Sequence, residues 1–113
     1  MNTLSKEGIA VYCRVSTAGQ NIQQQTSLAE AYFSKSNMDT TKVHYFLDNN
    51  VSANKLAMEK RPALNKLRLE IRKGKIRTVV VQNRDRLARN FYEYIDLVKE
   101  FYNTYKKEII ESR

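Results

Sequence analysis

Four short apolar runs, separated by three stretches of helical periodicity, constrain this 113-residue chain more than any other feature. Ile9–Cys13 is nearly continuous in apolar residues, as in a strand covered on both faces. Lys42–Leu47 is a second β-branched and aromatic run, Thr78–Val81 a third, and Glu108-Ile109-Ile110 opens a fourth. Between the first two, Ile22, Gln25, Leu28, Ala29, Tyr32 and Phe33 recur at helical spacing and predict a helix over Ile22–Ser36. Pro62 suits the first turn of a second helix, Leu64, Leu67 and Ile71 supply its apolar stripe, and Gly74 is placed to end it. Phe91, Tyr94, Ile95, Val98, Phe101, Tyr102 and Tyr105 make the third and strongest stripe. Asp48–Lys60 is polar, without a period, and reads as a long loop.

The order β-α-β-α-β-α-β implies an α/β domain, a parallel sheet with helices on both faces and right-handed crossovers. Its commonest arrangement is the flavodoxin-like order 2-1-3-4, which makes the first and third strands neighbours at the switch point. In such sheets functional residues gather where the carboxyl ends of neighbouring strands meet. Directly after the first strand comes Tyr12-Cys13-Arg14-Val15-Ser16-Thr17; after the third comes Asp85-Arg86-Leu87-Ala88-Arg89. The topology therefore predicts Ser16 among Arg14, Arg86 and Arg89.

Composition narrows the chemistry. Twenty Lys+Arg against 12 Asp+Glu leave a net charge of +8, a surplus that favours a polyanion, nucleic acid being the commonest. A single cysteine, Cys13, excludes an intrachain disulfide and fits a reducing cytoplasm; inside an apolar run it reads as a small buried hydrophobe. Neither an 18-residue apolar stretch nor a signal-peptide pattern is present. One histidine, His44, and one cysteine cannot build an ordinary His/Cys zinc site. His44 falls early in the second strand, away from the expected cleft, and no Gly-x-Ser-x-Gly elbow occurs, so a Ser-His-Asp hydrolase is disfavoured.

Phosphoryl transfer asks instead for positioning and for cations against phosphate oxygens. Arginine suits this because its planar fork pairs two oxygens and keeps its charge. Arg86 and Arg89, three apart, would face one side of a helical turn. Asp85 falls at the expected N-cap, and Arg14 shares the strand face of Ser16 by the period-2 rule.

The same residues resemble the catalytic domain of the serine recombinases (resolvases, invertases, phage and transposon integrases), from about Ile9 to Ile110. Tyr12–Thr17 matches the family's Tyr-x-Arg-Val-Ser-Thr nucleophile motif, and Asp85–Arg89 its Asp-Arg-Leu-x-Arg motif. Gln20 and Gln25 stand at spacings similar to its active-site glutamines, and Arg61, before Pro62, looks like the further arginine that follows the mobile loop. Ser-Ala after Asp48 and the Arg-Pro pair look more like large integrases and transposon recombinases than small resolvases.

The resemblance implies site-specific recombination of double-stranded DNA. Ser16 would attack the scissile phosphate to give a 5′-phosphoserine link, without ATP, metal or other cofactor. Arg14, Arg61, Arg86 and Arg89 would bind phosphate oxygens, and Asp85 would orient an arginine or assist proton transfer. It also implies that residues 1–113 are a catalytic domain stopping before the family's dimerisation helix and DNA-binding domain, the full-length protein being a homodimer or tetramer. Asn50 replaces the glycine usual in the loop after Asp48. A second reading stays open: a catalytically incompetent fragment acting as a nucleic-acid or protein-interaction module. A response-regulator-like receiver is the weakest, because Arg14-Val15-Ser16 offers no clustered acids.

Overall fold

The computed structural model of the chain describes residues 7–15, 22–38, 40–48, 61–88, 90–104 and 108–112. Strand β1 (Gly8–Arg14) is buried at every position and runs through the middle of a four-stranded sheet. It pairs in parallel with β2 (Val43–Asp48) on one side and with β3 (Ile76–Val81) on the other; β4 (Glu108–Glu111) adds in parallel to β3. The order is β2-β1-β3-β4, the arrangement expected from the alternation of elements. Arg14 lies opposite Asp48 at one end of the sheet, and His44 lies opposite Ala10 nearer the other end.

Alternation along β1 feeds two cores. Ile9, Val11 and Cys13 face helix α1 (Ile22–Ser36) through Ala29 and Phe33. Ala10 and Tyr12 face the opposite layer, where α2 (Pro62–Arg72) contributes Leu64, Leu67 and Ile71. That layer also holds α4 (Phe91–Val98), which contributes Leu97 and runs on into a π-helical segment, Lys99–Thr104, carrying Phe101. Helices thus cover both faces. A single helical turn, α3 (Arg84–Leu87), stands between β3 and α4. No helix among the described residues is long and apolar enough to cross a membrane.

The helix ends follow local chemistry. Pro62 opens α2, and Gly74, at φ 78°, supplies the left-handed residue after it. The third apolar stripe differs from its expected form. Phe91 and Tyr102 are 55 % and 57 % exposed, and the buried side of the segment carries Glu93, Leu97 and Phe101. The α-to-π change after Val98 alters the residues per turn. Glu93 is a charge that an apolar periodicity passes over. Tyr105 and the loop 49–60 lie outside the described residues.

The backbone packs tightly at Gly8. A Cβ there would stand 2.6 Å from the Lys42 carbonyl oxygen and 3.1 Å from His44 Cδ2, and the β1–β3 register shifts between Gly8 and Ile9. Gly8→Ala is expected to destabilise the fold by about 1–3 kcal/mol, the usual cost of overpacking, read as an earlier midpoint in urea. An unchanged midpoint would show that the strands part there without cost.

Candidate active site

β1 and β3 are neighbours, so their carboxyl ends bring Arg14 beside the turn that follows Val81. That turn is α3. Asn83 caps it, its side chain accepting a hydrogen bond from the Asp85 N–H at 3.0 Å. Asp85 is therefore in the first helical turn and is not the N-cap, a correction to the expected role. Asn83 has the extended backbone and the carbonyl reach that a cap needs. The helix ends at Leu87, and Ala88 is extended at φ −134° and ψ 150°; the expectation that Arg86 and Arg89 share a helical turn rests on Arg89, which lies outside the described residues.

Arg14 and α3 hold each other through main-chain oxygens. Arg14 Nη2 donates to the Asp85 carbonyl at 2.7 Å and Nε to the Arg86 carbonyl at 3.4 Å. In return Arg86 Nη1 donates to the Arg14 carbonyl at 3.3 Å, and its Nε reaches Gln82 Oε1 at 3.4 Å. Burial holds the Arg14 guanidinium below arginine's ordinary value; the nearby Arg61 and Arg86 charges push the same way and Asp85 opposes them. The site concentrates positive charge that has lost part of its hydration. Such charge responds strongly to an anion.

The strand end is itself pinned. Ile9 and Val15 donate their N–H groups to β2-side carbonyls, whereas Gly8 donates to Lys75 on the other side. Alternation turns the Arg14 peptide toward the β3 side, beyond Val11, the last β1 residue paired with β3. Gln25, 3 % exposed on α1, takes the missing strand's place. It accepts from the Arg14 N–H at 3.1 Å and donates to the Arg14 carbonyl at 2.9 Å.

On the β2 side Asp48 does a comparable job. Its carboxylate accepts from the Ala63 and Leu64 N–H groups at 2.9 and 3.1 Å, satisfying donors at the start of α2, and from the Tyr12 hydroxyl at 2.7 Å. Burial and the Asp48 carboxylate both push the Tyr12 phenol well above its ordinary range, so Tyr12 is a fixed donor, not a base.

Arg61, at the N-cap position of α2 but with no capping bond from its side chain, is 0 % exposed. Nη1 donates to the Leu87 carbonyl at 3.0 Å and Nη2 to Glu93 Oε1 at 2.7 Å. It is turned into the protein, against the underside of the arginine-bearing turn. Cys13 is fully buried, its thiol pushed up to about 12 by burial, which disqualifies it as a nucleophile.

The structure thus joins Arg14, Gln25, Asp85 and Arg86 into one bonded cluster, with Arg61 bonded to the adjoining Leu87. Ser16, Gln20 and Arg89 lie outside the described residues. Sequence reasoning missed the supports: Asp48, Glu93 and the caps Asn83 and Asn90. Asn90-x-x-Glu93 matches a capping pattern, and Asn90 Oδ1 does accept from the Glu93 N–H at 2.9 Å, so that signal was readable. Nothing local marks Asp48 or the Glu93 partner, since both contacts are made to residues distant in sequence.

Comparison with known proteins agrees with the fold. The family model described as the N-terminal domain of resolvases matches residues 9–111. The N-terminal catalytic domain of TP901-1 integrase aligns with a TM-score of 0.79 and 28% identity, over 94% of this chain and 77% of its own. A resolvase family site-specific recombinase from Streptococcus pneumoniae gives 0.75 and 24%, over 95% and 72%. The C-terminal catalytic domain of ISC1926 TnpA, an IS607-like serine recombinase, gives 0.71 and 23%, over 93% and 67%. The latter two are similar in fold alone. A search of curated proteins finds no match.

Proposed function

Because this chain belongs to the resolvase family, its N-terminal domain spanning residues 9–111, we propose that it is the catalytic domain of a site-specific DNA recombinase that cuts and rejoins strands through Ser16. The observation that carries this reading is the 2.7 Å bond from Arg14 Nη2 to the Asp85 carbonyl, which ties the strand leading into Ser16 to the turn bearing Arg86.

In the proposed reaction the Ser16 oxygen attacks the scissile phosphorus. A P–O bond to serine forms as the bond to the 3′ oxygen breaks, and the serine proton passes to that oxygen. The products are a 5′-phosphoserine link and a free 3′-hydroxyl. Rejoining reverses the step with another 3′-hydroxyl as nucleophile, so the number of phosphoester bonds is conserved and no ATP is needed. Arg86 and Arg89 offer their forks to the phosphate's non-bridging oxygens. Arg14 adds charge at the same strand end, and Arg61, from inside, supports the turn. Asp85, in the first turn of α3, accompanies Arg86. Gln25 fixes the Arg14 peptide, while Gln20 lies between Ser16 and α1 in sequence. The net charge of +8 supports duplex DNA as the partner, and the family supports assembly as dimers or tetramers.

The test is to recover protein-linked DNA ends from cells expressing the protein in its native genomic setting and to map the attachment by mass spectrometry. The expected result is a 5′-phosphodeoxynucleotide on the peptide containing Ser16. DNA joined through a tyrosine, or recombination with no protein-linked ends, would overturn the proposal.

A further inference from the structure

We propose that Glu93 is a positioning residue for strand cleavage, acting through the buried guanidinium of Arg61 to hold the arginine-bearing turn in place. This deepens the recombinase reading and rests on it. The chain of contacts is short. Glu93 Oε1 accepts from Arg61 Nη2 at 2.7 Å, and Arg61 Nη1 donates to the carbonyl of Leu87 at 3.0 Å. Leu87 is the last residue of α3, and the two residues before it, Asp85 and Arg86, offer the carbonyls that receive Arg14. Arg14 grips the turn from the β1 side and Arg61 from the α2 side.

Physical chemistry makes Glu93 the controlling member. An arginine cannot shed its proton at working pH, so wholly burying Arg61 demands a counter-charge. Glu93 supplies it from a fixed point. It stands in the first turn of α4, where the helix dipole favours a carboxylate, and its own N–H is held by Asn90. Arg61 is equally fixed as the residue before Pro62, with its carbonyl accepting the Asn65 N–H at 3.0 Å. Two helix starts therefore meet beneath one turn. The guanidinium is the strut between them, and its second arm ends on the Leu87 carbonyl.

This arrangement predicts more than stability. The N–H groups of Arg86 and Ala88 are bonded to the Asn83 and Arg84 carbonyls within the turn. Their hydrogen exchange therefore reports on the turn alone, with Val11 and Tyr12 as controls in β1. The variants are Glu93→Gln, which keeps an oxygen for Arg61, Glu93→Leu, which keeps none, and the pair Arg61→Met with Glu93→Leu, which removes both charges and so protects the fold.

In the pair variant, exchange at Arg86 and Ala88 should rise at least about 10-fold while Val11 and Tyr12 keep their protection. With DNA that the wild type cuts, single-turnover cleavage should fall at least about 100-fold with DNA affinity nearly unchanged, and Glu93→Gln should recover most of the rate. Unchanged exchange at Arg86 and Ala88 in the pair variant overturns the strut, whether or not the protein cuts DNA. Raised exchange with an unchanged cleavage rate overturns its part in the reaction. Absence of cleavage by the wild type would count against the recombinase reading, and the exchange arm would still decide the strut.

Discussion

Ser16→Ala is expected to lower strand cleavage by roughly 10⁴–10⁶-fold, the scale seen when a covalent nucleophile is removed. The protein-linked DNA product should vanish with it. Among the described residues, neither Cys13 nor His44 can take over. Cys13 is the stronger nucleophile in principle, yet it is fully buried and its thiol is pushed up to about 12. His44 lies opposite Ala10, away from the Arg14 end of the sheet. Affinity for DNA should hardly move, because an uncharged hydroxyl neutralises no phosphate. Gel assays for the adduct, filter binding and a thermal melt on the same preparation check all three statements. An adduct that survives the substitution would remove Ser16 as the nucleophile.

The second large effect concerns Arg86. Arg86→Ala is expected to slow cleavage by about 10²–10³-fold, equal to about 2.7–4 kcal/mol of transition-state stabilisation, by analogy with deleting one charge-stabilising donor. It also removes one of the two donors to the Arg14 carbonyl, Gln25 being the other, so the strand end and the turn lose one of their mutual bonds. Arg86→Lys keeps a charge but not the fork, and should recover only part of the rate. Plotted against salt, the logarithm of DNA affinity should lose about one unit of slope in Arg86→Ala if this side chain meets a phosphate. A wild-type cleavage rate in Arg86→Ala would contradict the clamp.

The frame of the molecule was legible because it rests on local periodicities. Ile9–Cys13 and Thr78–Val81 announce strands by unbroken apolar character, and Pro62 and Gly74 punctuate a helix. From these the β2-β1-β3-β4 order follows as the commonest arrangement of the pattern, and with it the meeting of Arg14 and Arg86. Details that depend on partners distant in sequence were not legible. Nothing near Glu93 says that it is buried, because its counter-charge is 32 residues away. Asp85 looked like a cap because acids favour such places, but Asn83 reached the position first. Arg61 fits an exposed phosphate ligand by motif and an internal brace by geometry, and only packing distinguishes the two.

The Asp48 carboxylate has one more consequence. By grasping Ala63 and Leu64 while also holding Tyr12, it anchors both shores of residues 49–60 to the same rigid bank. One carboxylate thus serves two layers at once, and its loss would free the start of α2 and the Tyr12 hydroxyl together, leaving three buried or half-buried donors without their acceptor.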